Sequence, residues 1–229
     1  MTLPLIYLPG MMCDDRLFAP QIAELGGVAH GFGQSDTTIG AMATRLLADL
    51  PDRFALVGLS MGGIVAMEII RQAPDRVDRV AFLDTNPLAE QPEVKARRAP
   101  QIAKVQAGGL ASVMRDEMKP NYLANGPDRD AILDLCMDMA LDLGPEVFIN
   151  QSVALRDRPD QSDTLRAYDR PALVLCGYDD RLCPVARHEL MHDLLPNAEL
   201  VVLRGAGHLP TLEQPQETTA ALRRWMERE

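Results

Sequence analysis

Short apolar runs and longer stretches of helical periodicity alternate along most of this 229-residue chain. Runs too short and too apolar for a solvent-facing helix predict strands over 3–8, 53–57, 79–84, 172–177 and 199–203. Apolar positions recurring every three to four residues predict helices over about 16–25, 38–50, 64–73, 184–195 and 215–228. Thr37 or Thr38 supplies an N-cap for the second of these, and Pro51 stands just past its end. The glycine-rich stretch 26–33 carries no clear strand signal. From 85 to 170 the alternation stops, and only helical stretches broken by Pro and Gly are predicted, near 93–107, 110–118, 128–141 and 145–156. Strand–helix alternation interrupted once by a helical block implies an α/β fold. A mostly parallel sheet of about six strands is flanked by helices, with an all-helical insertion at 85–170 inside one domain spanning 1–229.

Composition narrows the function classes. The chain is 47% hydrophobic and 24% charged, with a net charge of −10, which argues against nucleic acid or an anionic membrane as a partner. No apolar stretch has membrane-spanning length, and the first residues lack the basic start of a signal peptide. Cys13, Cys136, Cys176 and Cys183 show no paired spacing for a metal site or disulfide framework, so reduced thiols in a cytoplasmic protein are expected.

The candidate chemistry lies just past predicted strand ends, where sites of parallel sheets gather. Gly58-Leu59-Ser60-Met61-Gly62 sits between an apolar run of strand length and an almost wholly apolar helix. That is the setting of a G-x-S-x-G turn, in which glycines two before and two after the serine relieve crowding at a sharp strand-to-helix bend. Asp179 and Asp180 follow the strand at 172–177, and His208 follows the strand at 199–203. Asp84 ends the strand at 79–84 and is a rival acid.

On these residues the chain resembles the α/β-hydrolase family. Gly58 to Gly63 is similar to that family's nucleophile elbow, Gly177-x-x-Asp180-x-x-x-Pro184 to its acid loop, and Gly205-x-Gly207-His208 to its histidine loop. Leu8-Pro9-Gly10 resembles the oxyanion loop of an esterase-like branch, with Pro9 where many relatives carry histidine. His30-Gly31-Phe32-Gly33-Gln34-Ser35-Asp36 resembles a G-H-G-x-S-D loop of the family. The chain starts at what corresponds to the family's third strand, hence six strands rather than eight. The resemblance implies a serine hydrolase acting on a small carboxylic ester or thioester through an acyl-enzyme, without cofactor or metal. Ser60 is the implied nucleophile, His208 the base and Asp180 the acid that orients it; Met11 and Met61 are the implied backbone N–H donors to the oxyanion. Substrate-binding residues and oligomeric state are not legible at this level.

Other readings stay open. His188-Glu189-Leu190-Met191-His192 is a literal H-E-x-x-H on a predicted helix, the pattern of zinc peptidases, with Glu213 as a distant third ligand. The same helix reads more simply as a buried stripe of Ala186, Leu190 and Leu194, with His188, Glu189, His192 and Asp193 on the wet side. A non-catalytic ligand-binding member of the fold, or C–C hydrolase, lyase or perhydrolase chemistry on the same residues, completes the set. Met114, Met118, Met137 and Met139 of the insertion are expected to pack helices. Any that face Ser60 give a deformable apolar acyl pocket.

Overall fold

The computed structural model describes residues 3–228. Its strands are β1 (Leu5–Leu8), β2 (Val28–Ala29), β3 (Phe54–Leu59), β4 (Val77–Leu83), β5 (Ala172–Gly177) and β6 (Ala198–Leu203). They form one six-stranded sheet in the order β2-β1-β3-β4-β5-β6. Every neighbouring pair is parallel. The expected α/β architecture with about six strands is therefore observed. The segment at 26–33 does contribute a strand, of two residues, and the His30 N–H donates to the Tyr7 carbonyl to prolong its pairing.

The helices are α1 (Ala19–Leu25), α2 (Ile39–Asp49), α3 (Met61–Gln72), α4 (Pro92–Gln106), α5 (Leu110–Val113) and α6 (Arg129–Arg156). The rest are α7 (Ser162–Ala167), α8 (Val185–Leu194), α9 (Pro210–Glu213) and α10 (Pro215–Glu227). Thr38 is the cap of α2, its hydroxyl accepting from the Ala41 N–H at 3.1 Å. The central strands are apolar on both faces because helices cover both faces, and alternate residues feed two separate cores. Ile6, Leu56, Val80, Phe82 and Val174 pack with α2, α3 and α8 on one side. Tyr7, Ala55, Val57, Ala81, Leu173 and Leu175 pack with α1 and α10 on the other. Each such fully buried large side chain contributes about 1.5–3 kcal/mol relative to exposure.

Helix α3, at the centre, is buried along most of its length. Its one buried charge, Glu68, is matched by Arg71, Gln72 and Gln161 at 2.6–2.9 Å. Between β4 and β5 the chain is helical, as the pattern predicts, except that α6 runs through both stretches expected there. It breaks at Gly144 (φ 83°, ψ 174°), so two helical limbs meet at an angle. Its first limb buries Ile132, Cys136 and Met139 in one core, and its second buries Val147, Phe148 and Leu155 in the other.

Candidate active site

The bend between β3 and α3 is built on steric necessity. Ser60 has φ 54° and ψ −115°, a left-handed conformation that costs a non-glycine residue on the order of 1–3 kcal/mol. The strain is held by bonds on both sides of the residue. The Ser60 N–H donates to the Leu83 carbonyl at 2.9 Å, and the Ser60 carbonyl accepts from the Thr85 hydroxyl at 2.7 Å. The flanking glycines are required by close approach. A Cβ on Gly58 would stand 2.5 Å from the Gly62 carbonyl oxygen, and one on Gly62 only 2.0 Å from the Leu8 carbonyl oxygen.

The loops after β5 and β6 bring the acid and the histidine to this serine. His208 Nε2 lies 2.8 Å from Ser60 Oγ, and His208 Nδ1 lies 2.8 Å from Asp180 Oδ2. The second Asp180 oxygen accepts the N–H groups of Leu182 (2.8 Å) and Cys183 (3.1 Å). Burial pushes the Asp180 carboxyl up, but the His208 ring and these N–H donors outweigh it and hold its pKa below the usual value. Asp179, the neighbouring rival, is exposed.

The histidine loop has its own anchor. Glu213 accepts the N–H groups of Gly207, Leu209 and Ala124 at 2.8–3.0 Å, and the His208 N–H donates to the Tyr122 carbonyl at 2.6 Å. Glu213 is therefore spent on fixing backbone, which corrects its reading as a distant zinc ligand.

Asp84 plays a part that sequence patterns do not reveal. It is fully buried at φ 43°, and its Oδ1 accepts the Gly177 N–H at 2.9 Å. Burial, then the charge of nearby Asp180, pushes its pKa well above the carboxylate range. Burial and the Asp180 charge thus favour the protonated form of Asp84, while the contacts of Asp180 favour its charged form. The rival for partnering His208 turns out to brace the loop that carries Asp180.

The two implied oxyanion donors are on adjacent structures. Met61 opens α3, where its N–H is one of the helix's unshared N-terminal donors. Met11 lies in the turn after β1, whose next residue is pinned by the Met12 N–H donating to Gln151 Oε1 at 2.9 Å. Among the described residues neither the Met11 nor the Met61 N–H has an acceptor within the protein.

Helix α8 departs from its predicted orientation. His188, assigned to the wet side, is fully buried with Met191 and Leu195, while Ala186 is exposed and Leu190 and Leu194 are half-buried. The physical reason is a hydrogen bond. Its Nε2 accepts the Thr85 N–H at 3.0 Å, satisfying a donor stranded where the chain bends away from β4. With that lone pair engaged, His188, Glu189 and His192 do not form an open metal-binding face. The one set of three close ligand-type atoms among the described residues is Asp180, Cys183 and His208. There Asp180 and His208 are bonded to each other, and burial pushes the Cys183 thiol up, away from the thiolate a metal takes.

Ser60 and His208 open onto a cavity of about 440 Å³, roofed by residues of the segment between β4 and β5, among them Tyr122, Met118 and Leu155. Of the four insertion methionines only Met118 lines it; Met114 and Met139 are packed in the cores.

Comparisons with known proteins bear on the fold and the family. A family model described as "Alpha/beta hydrolase family" matches residues 15–222. A thermophilic esterase from Thermogutta terrifontis, solved with malate bound, superposes with a TM-score of 0.90 at 30% identity, covering 99% of this chain and 90% of that one. A pimeloyl-[acyl-carrier protein] methyl ester esterase of Aromatoleum aromaticum is 27% identical over 92% of this chain and 86% of its own length. The enol-lactonase from Burkholderia xenovorans LB400 shares the fold, with a TM-score of 0.88 at 21% identity over 100% of this chain and 93% of that one.

Proposed function

This chain belongs to the α/β-hydrolase family and is a hydrolase with esterase relatives; we propose that it is a serine esterase cleaving small carboxylic esters or thioesters through an acyl-enzyme on Ser60. The observation that carries the reading is the unbroken chain of contacts Ser60 Oγ, His208 Nε2, His208 Nδ1, Asp180 Oδ2, with both links at 2.8 Å.

For attack, the imidazole keeps its proton on Nδ1 towards Asp180 and offers Nε2 as acceptor to the Ser60 hydroxyl. As Ser60 Oγ attacks the acyl carbonyl, its proton passes to His208 Nε2, and the Asp180 carboxylate stabilises the cation that forms. The carbonyl oxygen becomes an oxyanion between the N–H groups of Met11 and Met61, each such donor being worth about 3–4 kcal/mol of barrier. These donors are fixed before substrate arrives, one by the helix and one by the turn after β1. His208 then returns its proton to the leaving alcohol or thiol. A water attacking the acyl-enzyme repeats the same transfers and frees the acid.

The methyl ester in the name of the Aromatoleum aromaticum relative supports a small alcohol leaving group, and the cavity of about 440 Å³ supports a short acyl chain beside Ser60. The helical segment over 85–170 would act as the cap that encloses it, placing substrate choice on α4 to α6 rather than on the sheet. Conversion of Ser60 to Ala tests the reading. Turnover of short p-nitrophenyl esters is expected to fall by at least 10³-fold, with loss of fluorophosphonate labelling. Retention of both activities in a folded S60A protein would refute it.

A further inference from the structure

The cavity beside Ser60 is walled in part by a buried charged cluster that the steps above do not use. Glu90, on the stretch before α4, receives two arginines from different elements. Arg98 of α4 donates from Nε and Nη2 to the two Glu90 oxygens, at 3.1 and 2.8 Å. Arg158, just after α6, donates from Nη1 to Glu90 at 2.9 Å and from Nε to the Leu88 carbonyl at 3.0 Å. The arginine side chains are 10% exposed and the glutamate 3%. Burial alone would push the Glu90 carboxyl up, but the two guanidiniums prevail and lower its pKa.

One carboxylate cannot balance two guanidiniums, so the cluster keeps a surplus positive charge where little water reaches. Such a charge is costly unless something pairs with it. The unspent donors lie on residues that line the cavity. Arg98 Nη1 has only the Met11 sulfur, a weak acceptor, at 3.5 Å. Arg158 Nη2 has no acceptor among the described residues. The other lining charges reinforce the sign. Arg97, Arg181 and Arg187 have no acidic partner among the described residues, while the second lining acid, Glu117, is occupied by Lys104 and Gln101. This is a positive chamber in a chain of net charge −10.

We propose that Arg98 and Arg158 form an anion subsite that binds a carboxylate on the acyl portion of the substrate, making half-esters of short dicarboxylic acids the preferred class. The planar fork of a guanidinium matches a carboxylate in two-point contact. Met11 sets the reach: its side chain touches Arg98 while its N–H is the proposed oxyanion donor, so the anion sits about one side-chain length from the reacting carbonyl, a gap that the acyl chain of a short half-ester spans. The inference rests on the esterase reading at Ser60.

The experiment compares kcat/KM for monomethyl succinate, glutarate and adipate with that for neutral methyl esters of equal chain length. At least one half-ester is expected to exceed its neutral counterpart tenfold or more, chiefly through KM. That ratio should fall at least tenfold in Arg98→Gln and in Arg158→Gln; each variant leaves Glu90 one arginine, and the wild-type ratio needs no variant. Free glutarate should inhibit turnover of a neutral p-nitrophenyl ester competitively, and glutaramide should not. Absence of half-ester preference, an unchanged ratio in both variants, or inhibition by inorganic phosphate but not glutarate would overturn the subsite. Calorimetric titration of S60A with glutarate separates the two readings. Binding with residual turnover in S60A sinks the serine mechanism alone, whereas neutral-ester turnover without half-ester preference sinks the subsite alone.

Discussion

His188 offers a quantitative test of how the structure around Ser60 is held. Its buried imidazole accepts the Thr85 N–H, and the Thr85 hydroxyl in turn holds the Ser60 carbonyl. Burial lowers the His188 pKa to about 4; the Asp180 charge opposes that shift and His208 adds to it. In the unfolded chain a histidine titrates near 6.5. Between those values the native ring stays neutral while the unfolded one takes a proton. The stabilisation is therefore complete above pH of about 6.5 and drains away as pH falls towards 4. Linkage over that window gives a loss of about 2 kcal/mol between pH 7 and pH 5. His188→Gln keeps an acceptor for Thr85 but removes the titration. Urea unfolding, followed by the fluorescence of the single, buried Trp225, measures stability at both pH values. Wild type should lose about 2 kcal/mol more than H188Q on acidification. The shifted groups Asp84 and Glu213 are common to both proteins and cancel. Equal losses would mean that His188 is not the neutral acceptor described here. Stoichiometric zinc on wild type, lost in H188Q, would revive the metal reading of the same helix.

Two further outcomes follow from the acids that brace the site loops. Asp84, with its raised pKa, binds its proton more tightly folded than unfolded, so it becomes a growing liability as pH rises above the unfolded value of 3.8. Asp84→Asn retains an acceptor for Gly177 and should melt above wild type at pH 8, with the difference vanishing below pH of about 4; a lower melting point at pH 8 would contradict the assignment. Glu213→Gln offers one acceptor oxygen where three N–H groups now converge, and should cost about 1–3 kcal/mol of stability. It should also lower kcat more than it changes KM, since the loop it releases carries the base rather than the substrate wall. Steady-state kinetics with an unchanged kcat would show that His208 needs no such anchor.

Much of this architecture is legible in the sequence because the relevant forces are local. Strand runs are short and apolar, Thr38 caps a helix within three residues, and the glycines around Ser60 answer a clash inside one turn. The positions of Ser60, Asp180 and His208 relative to strand ends are legible for the same reason. What escapes is set by partners far along the chain. His188 looks like a polar residue on an amphipathic helix until the Thr85 N–H, 103 residues away, is seen to need an acceptor. Glu90, Arg98 and Arg158 carry no sequence motif, and only the folding of α4 near the end of α6 brings them together. Asp84 reads as a spare triad acid, and the upward shift of its pKa depends on a burial that no spacing encodes. Weak periodicity also hid α7 and α9, which are too short to repeat a pattern.

The break at Gly144 has a consequence for how the enclosure above Ser60 is kept in place. The first limb of α6 buries Ile132, Cys136 and Met139 in one apolar cluster and Ala140 in the other, which the second limb joins through Val147, Phe148 and Leu155, so the long helix ties the two clusters together. A roof helix rooted in both clusters resists sliding as a unit. Loosening either root, even at a residue remote from the chemistry, would shift Leu155 and so reshape the chamber into which an ester must fit.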